Sequence, residues 1–435
     1  MNIPFNKHTL ANGLDVIVHE DHSCPIVAVN IWYHVGSKNE RPGRTGFAHL
    51  FEHLMFEGSQ HDNRGYFYSL QQAGADLNGS TNADRTNYWE VVPTSALDLA
   101  LWMESDRMGH LLPALTREKF ENQRDVVLNE RRQNYENRPY GMVGMATMEA
   151  LYPTDHPYSW MTIGRVKDLQ AAELDEVRSF FRTFYGPGNA SLTIAGDVEV
   201  DKVFEMAEHY FEEIPGRPAP PAVALEEPLI CDERRLLLED RIELPRLYLA
   251  WHSPQLFGPG DAELDLLSDV LSNGKASRLY RTLVHKLRLA TDVSVVQSSR
   301  ELSGVFQIVA TATPGHTLSE LDDVISVELE RISADELTTD ELHRSLVQIE
   351  TNFVCQLDTV GGFGGKSDQL NGYNVVVNDP GYFEADLSRY RNATSAAIGR
   401  ISRDRLSRQQ RIAVSVVPIG ATKLALPDSV VAEVS

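Results

Sequence analysis

Cysteine is scarce in this chain: three in 435 residues, Cys24, Cys231 and Cys355, far apart and odd in number. That excludes a disulfide framework and a cysteine-based metal site, and favours a reducing compartment. No run of 18 apolar residues occurs, so no membrane span is expected. The opening stretch, MNIPFNKHTL, lacks the basic start and apolar core of a signal peptide. A cytoplasmic protein is expected, or a periplasmic one if the sequence is a mature form. Positive charge is also short, with 40 Lys and Arg against 62 Asp and Glu, a net charge of −22. A phosphate backbone would be repelled, which argues against a nucleic-acid partner, whereas a basic peptide would be attracted.

Hydrophobic residues at 42% and charged residues at 23% are what a chain with a real core carries, and the length suits two domains. Pro215-Gly216-Arg217-Pro218-Ala219-Pro220-Pro221 puts four prolines in seven residues, which neither a helix nor a sheet interior accepts. It cuts the chain nearly in half, giving expected domains 1–214 and 229–435 around a linker 215–228.

Each half reads in the same order. In the first, apolar alternation predicts strands at 14–19 and 26–35, read together as a hairpin with Asn12-Gly13 as a turn before them. Helices are predicted from Phe47 and over 95–108, 117–135 and 174–183, with strands at 86–92 and 190–196. In the second, strands at 246–252, 304–313 and 412–418 accompany helices at 261–272, 318–332 and 339–357. The fold class expected is α+β: a duplicated α/β-sandwich unit, each copy a mixed, largely antiparallel sheet with helices packed on one face.

His49-Leu50-Phe51-Glu52-His53 is the most informative stretch. On a helix, positions i, i+3 and i+4 share a face, so both imidazoles and the carboxylate project together. Two histidines one turn apart can grip one metal ion, and zinc accepts nitrogen and carboxylate ligands in a tetrahedron. Catalytic sites leave a fourth position open for water, whose proton Glu52 is placed to take. This is the HxxEH order, the reverse of the commoner zinc-peptidase motif. A third protein ligand is needed, and Glu130, 77 residues after His53 on a second predicted helix, is the candidate. Histidines at i and i+4 occur on many surface helices, and a lone helical glutamate is usually solvated. Here Leu50, Leu54, Met55 and Phe56 make the motif helix apolar around its polar triplet, and ionisable groups in such a setting are costly unless paired or metal-bound. No other histidines show a paired spacing that suggests a second metal. In the second half, Asp265-Leu266-Leu267-Ser268-Asp269 falls where the first has the motif, so that domain is expected to lack a metal site.

These residues resemble the zinc peptidases of the pitrilysin and insulinase family, which includes the mitochondrial processing peptidase. The resemblance rests on His49 through Gly58, on Leu77-Asn78-Gly79-Ser80-Thr81 with Thr86-Asn87-Tyr88, and on Glu130. It rests further on His156-Pro157-Tyr158, on 185–189 and on Ser277-Arg278-Leu279-Tyr280, and it spans the chain at the size of the short, two-domain members. It implies one zinc ion on His49, His53 and Glu130, with Glu52 as general base. It also implies that Asn78, Gly79, Ser80 and Thr81 lie on an exposed sheet edge where an extended peptide adds as a strand. Two such proteins would face each other around a chamber that admits unfolded peptides.

Two positions depart from the family pattern. An acidic residue often precedes the glutamate ligand by seven positions; here Gln123 stands there, expected to donate a hydrogen bond in support of Glu130. Active members also hold the substrate carbonyl with an arginine and a tyrosine, and the matching positions are Val284 and Thr291. The resemblance therefore implies a second, homologous subunit without the zinc motif that supplies the pair. The expected activity is a zinc endopeptidase acting on short or unfolded peptides, or a processing peptidase for one precursor; the alternative is a noncatalytic scaffold subunit. The glycines of Gly361-Gly362-Phe363-Gly364-Gly365-Lys366-Ser367 imitate a phosphate loop, but Val360 occupies the position of its first glycine and a helix, not a strand, is predicted before it.

Overall fold

The computed structural model describes residues 2–225, 228, 230–334 and 337–434. Of the expected linker, 226 and 227 lie outside the described residues. Two compact units divide the chain. The first takes the chain up to Glu130, then Trp160–Val223 and Phe353–Ala385; the second takes Arg131–Ser159, Ala224–Asn352 and the chain from Asp386 on. Contiguous halves split at the prolines differ from this division in two segments, 131–159 and 353–385, which sit with the opposite unit.

The first unit is built on β1 (Asn6–Thr9), β2 (Asp15–Glu20), β3 (Ile26–Tyr33), β4 (Asp76–Thr81), β5 (Thr86–Pro93) and β6 (Ala190–Gly196), in the order β1-β2-β6-β3-β5-β4. The second uses β7 (Arg234–Asp240), β8 (Arg246–Ser253), β9 (Ala290–Ser298), β10 (Gly304–Ala312), β11 (Arg411–Pro418) and β12 (Val430–Val431), in the order β12-β7-β11-β8-β10-β9. From β2 and β7 onward the two orders correspond strand for strand, so the unit is duplicated. Each sheet is mixed: β2 runs parallel to β6, and β7 to β11 and β12, and the other pairs are antiparallel. The hairpin expected from 14–19 and 26–35 does not form. Asn12-Gly13, with Gly13 at φ 94°, turns β1 into β2, and β6 inserts between β2 and β3. Six of the seven β6 residues are buried, and a strand this apolar is stable only in the sheet interior.

Alternation along β3 shows why both faces are covered. Val27, Val29, Ile31 and Tyr33 are fully buried, and Tyr33 meets the rings of Tyr88 and Tyr185 beneath the helices Phe47–Leu54, Leu97–Ala114 and Leu174–Phe184. The opposite face carries Asn30 and Trp32, and the helix Lys366–Val377 lies on it. Asp368 Oδ1 accepts from Trp32 Nε1 (2.8 Å), Asn87 Nδ2 (3.0 Å) and Asn30 Nδ2 (3.3 Å). Asn371 accepts from the hydroxyls of Ser191 and Thr193 and donates to the Asn30 carbonyl at 2.8 Å. The helix layer expected on one face is thus joined by a second, packed through a satisfied polar network. In the second unit, Val143–Leu151 packs likewise against β8 and β11. The glycine run 361–365 leads into Lys366–Val377, and Lys366 pairs with Asp21 at 2.7 Å; the element before the run is the helix Thr339–Cys355, unlike a phosphate loop.

Arg278 of the second unit forks onto Glu341, with Nε and Nη2 each 2.7 Å from a carboxylate oxygen, while Thr338 and Glu341 cap the helix Thr339–Cys355 reciprocally. Burial raises the Glu341 carboxyl, but the Arg278 and Thr338 donors outweigh it and hold it at about 2. Because the folded value lies below the ordinary 4.5, this carboxylate stabilises the fold above that pH, and the contribution fades as pH falls through 2. Glu341→Gln is expected to cost about 1–3 kcal/mol at pH 7. Denaturant midpoints should converge for variant and parent as pH drops from 4.5 to 2; a gap that stays constant would refute the assignment.

Candidate metal centre

The motif helix, Phe47–Leu54, starts at Gly46, whose φ is 90°. A Cβ there would stand 2.9 Å from Leu169 Cδ2 and 3.1 Å from the Gly164 Cα, so only glycine fits. Glycine offers no capping side chain, and Glu40 takes that role. Its Oε2 accepts from Gly46 N and its Oε1 from Ala48 N, both at 2.9 Å, and the Trp160 indole donates to Oε2 at 3.1 Å. Burial pushes the Glu40 carboxyl up to about 8, against these three donors. Phe47, Leu50, Phe51 and Leu54 are buried, with Phe51 against Phe180, Phe181 and Tyr185. This fixes the helix rotation and leaves His49, Glu52 and His53 on the half-buried face.

Glu130 comes from the helix Arg117–Arg131, one residue before its end, where the backbone passes into a π-helical turn, Arg132–Glu136. Buried Phe120, Val127 and Leu128 seat this helix. Two bridges tie it to Glu57, in the turn just after the motif helix: Lys119 Nζ donates to the Glu57 carbonyl at 2.7 Å, and Gln123 Nε2 donates to Glu57 Oε1 at 2.6 Å. Gln123 was expected to act on Glu130. Its amide is instead bound to Glu57, so it aligns the two helices rather than the ligand itself.

His49 Nε2 lies 3.6 Å and His53 Nε2 3.5 Å from the same Glu130 oxygen, and the three donor atoms fall within 4.8 Å of one another. These separations are too long for good hydrogen bonds. They match the edge of a tetrahedron, about 3.4 Å for zinc bonds of about 2.1 Å. The imidazole rings stand 4.9 Å apart at 83°, so both Nε2 atoms converge without stacking. Burial, with His53 adding to it, lowers the His49 pKa to about 3, which keeps the ring neutral and able to ligate. Its Nδ1 is buried with no hydrogen-bond partner among the described residues, so packing rather than a carboxylate orients this ring. The donor set therefore fits a zinc ion.

Glu52 does not share that cluster. Burial raises its carboxyl pKa, while the Thr81 hydroxyl, His53 and Arg85 pull it down and Glu130 pushes it up. Thr81 ends β4, an edge strand of the first sheet, which among the described residues pairs with β5 alone. Asn78, Gly79, Ser80 and Thr81 all lie on this edge strand beside the motif helix. At Gly79 a Cβ would meet Tyr88 at 2.9 Å and Phe56 at 3.0 Å, so glycine lets the strand lie close to both rings. Arg85 donates to the Ser80 carbonyl and hydroxyl at 2.8 and 2.6 Å, and its guanidinium lies 5.0 Å from the Trp32 ring centroid.

Three residues at the site escaped the sequence reading: Glu40, Glu57 and Arg85. Glu57 lies in the matched stretch from His49 to Gly58 but past the helix end at Leu54, so helical spacing gave it no role; Glu40 and Arg85 act from loops and carry no periodic signal.

A helix-borne imidazole pair closed by a distant carboxylate, beside an open sheet edge, is the arrangement of a metallopeptidase fold. Residues 15–157 match the family described as Insulinase (Peptidase family M16), and residues 171–348 match the Peptidase M16 inactive domain. The chain is 31% identical over 362 residues to the Zinc protease PqqE of Helicobacter pylori, covering 82% of this chain and 81% of that one. It is 21% identical over 369 residues to a probable mitochondrial-processing peptidase subunit beta of Arabidopsis thaliana, covering 80% of this chain and 67% of the relative. The crystal structure of a protease from Helicobacter pylori superposes with a TM-score of 0.88 at 28% identity, over 96% of this chain and all of that one. The periplasmic protease PqqL of Escherichia coli shares the fold, with a TM-score of 0.80 at 17% identity over 98% of this chain and 50% of that one. The chain belongs to peptidase family M16, whose relatives include zinc proteases. Among the described residues no helix is long and apolar enough to cross a membrane.

Proposed function

We propose that the chain is a zinc-dependent endopeptidase hydrolysing short or unfolded peptides, with one zinc ion held by His49, His53 and Glu130. The observation that carries this reading is the convergence of both Nε2 atoms on one Glu130 oxygen at 3.6 and 3.5 Å. What zinc supplies in such a set is Lewis acidity at a peptide carbonyl and a lowered pKa for water. The chain's own residues do the rest. Glu52 takes the proton of the attacking water and returns it to the leaving amine, and its burial-raised pKa suits a group that must both accept and donate. The backbone of Asn78–Thr81 binds substrate as an added strand, which gives affinity without demanding one sequence. Residues 171–348, which match the Peptidase M16 inactive domain, contain no HxxEH sequence.

Val284 and Thr291 stand where the family pattern has arginine and tyrosine. Val284 lies in the turn Tyr280–Lys286, and the Thr291 hydroxyl bonds to its neighbour Asp292 at 3.0 Å. Val284 carries no donor and the Thr291 hydroxyl is taken up by Asp292, so a homologous subunit without the zinc motif is proposed to provide the missing pair. The three cysteines are free and exposed, which supports a reducing, cytoplasmic setting.

Zinc analysis tests the reading. The purified chain should keep one tightly held equivalent after dialysis against a weak chelator, and Glu130→Gln should lose it, since two imidazoles without the carboxylate bind zinc too weakly to keep it against the chelator. A parent chain without tight zinc, or a Glu130→Gln variant that holds it equally well, would refute the assignment.

A further inference from the structure

A second cluster of metal-ligating groups lies outside the catalytic constellation. Asp106 and His110 are four residues apart on the helix Leu97–Ala114, whose backbone leaves the helical region at His110 (φ −130°, ψ 21°). That departure frees the His110 carbonyl to accept from Gln60 N at 3.1 Å, which ties the helix to the loop following the motif. From the same loop, His61 sets Nδ1 2.5 Å from Asp106 Oδ1, and its own N–H donates to Oδ2 at 3.3 Å. The Ser59 hydroxyl also donates to Oδ2. Asp106 is buried, whereas His61 and His110 are exposed.

The chemistry follows from this division. A carboxylate held by three donors fixes the His61 ring with its Nδ1 proton inward, leaving Nε2 as the free lone pair, which is how metal-binding imidazoles are commonly oriented. The His61 and His110 rings stand 4.9 Å apart at 75°, nearly the separation and crossing angle of the His49–His53 pair, 4.9 Å and 83°. One donor atom from each of His61, Asp106 and His110 falls within 4.8 Å of the others. We propose that His61 and His110, backed by Asp106, form a second site for a divalent transition-metal ion. Two imidazole nitrogens select zinc, nickel or copper over the harder magnesium and calcium. Because both rings face solvent, this ion exchanges freely, unlike the one between His49, His53 and Glu130. Bound there, it would clamp the 59–61 loop to the helix Leu97–Ala114.

Zinc titration of the His49→Ala/His53→Ala variant of the whole 435-residue chain isolates this site, whatever becomes of the catalytic reading. That variant should still take up one equivalent of Zn²⁺ in equilibrium dialysis, and adding His110→Ala should abolish it. Uptake by the double variant should also raise its unfolding temperature, and that rise should vanish with His110→Ala. In the otherwise unchanged chain, where folding is not in question, His110→Ala should lower saturating zinc from two equivalents to one. No uptake by the folded double variant, or uptake unaffected by His110→Ala, would overturn the site and reduce the cluster to a plain aspartate–histidine hydrogen bond.

Discussion

Glu52→Gln is expected to abolish peptide hydrolysis while leaving the tightly held zinc in place. Gln keeps the shape and hydrogen-bonding reach of the side chain but removes its basicity. Glu52 lies outside the trio of donor atoms, so metal affinity does not depend on it. Loss of a positioned general base typically costs about 10²–10⁴-fold in rate, and a half-buried carboxyl with a raised pKa has little solvent standing ready to replace it. Rates of cleavage of an unstructured fluorogenic peptide, measured beside zinc content, decide the point. A zinc-loaded Glu52→Gln protein within tenfold of the parent rate would remove Glu52 from the mechanism.

The second large effect concerns the partner. Each oxyanion donor removed from an acyl-transfer site typically costs about 2.7–4 kcal/mol of barrier, or roughly 10²–10³ in rate. With Val284 and Thr291 at the corresponding positions, the chain by itself should cleave peptides slowly. Adding a homologous subunit that lacks the zinc motif but carries the arginine and tyrosine should raise kcat at least about 10²-fold with little change in zinc content. Turnover by the isolated chain as fast as that of the reconstituted pair would mean that this chain supplies its own oxyanion donors.

The constellation was legible because its parts obey helical periodicity: His49, Glu52 and His53 share a face by spacing alone, and Glu130 belongs to a long, well-marked helix. What that spacing does not encode is how one helix lies on another. The Lys119 and Gln123 bridges to Glu57 are contacts between chain segments more than 60 residues apart, and no periodicity announces them. The same limit hid His61 beside Asp106 and His110, since a loop histidine has no register with a helix. Strand existence was read well where the whole strand is buried, as at 190–196, and missed at β1, β7 and β9, whose residues are mostly partly exposed or exposed; β4 was placed at a sheet edge by the family resemblance alone. Pairing was misread at β2 and β3 because adjacency in sequence suggests a hairpin, while burial demands that β6 sit between them. Alternation in β3 was recognised, yet its Asn30 and Trp32 face is not the wet side of the sheet, since a segment more than 300 residues away covers it.

That cover has a consequence for how the molecule can be taken apart. A gene cut at the proline run would encode a front piece without Asp368 and Asn371, and the amides and hydroxyls of Asn30, Asn87, Ser191 and Thr193 would lose the acceptors that satisfy them. The rear piece would likewise forfeit Val143–Leu151. The prolines mark a seam in the chain rather than a place where two self-sufficient proteins were joined, and the portion that carries His49, His53 and Glu130 is inseparable from residues encoded far downstream of it.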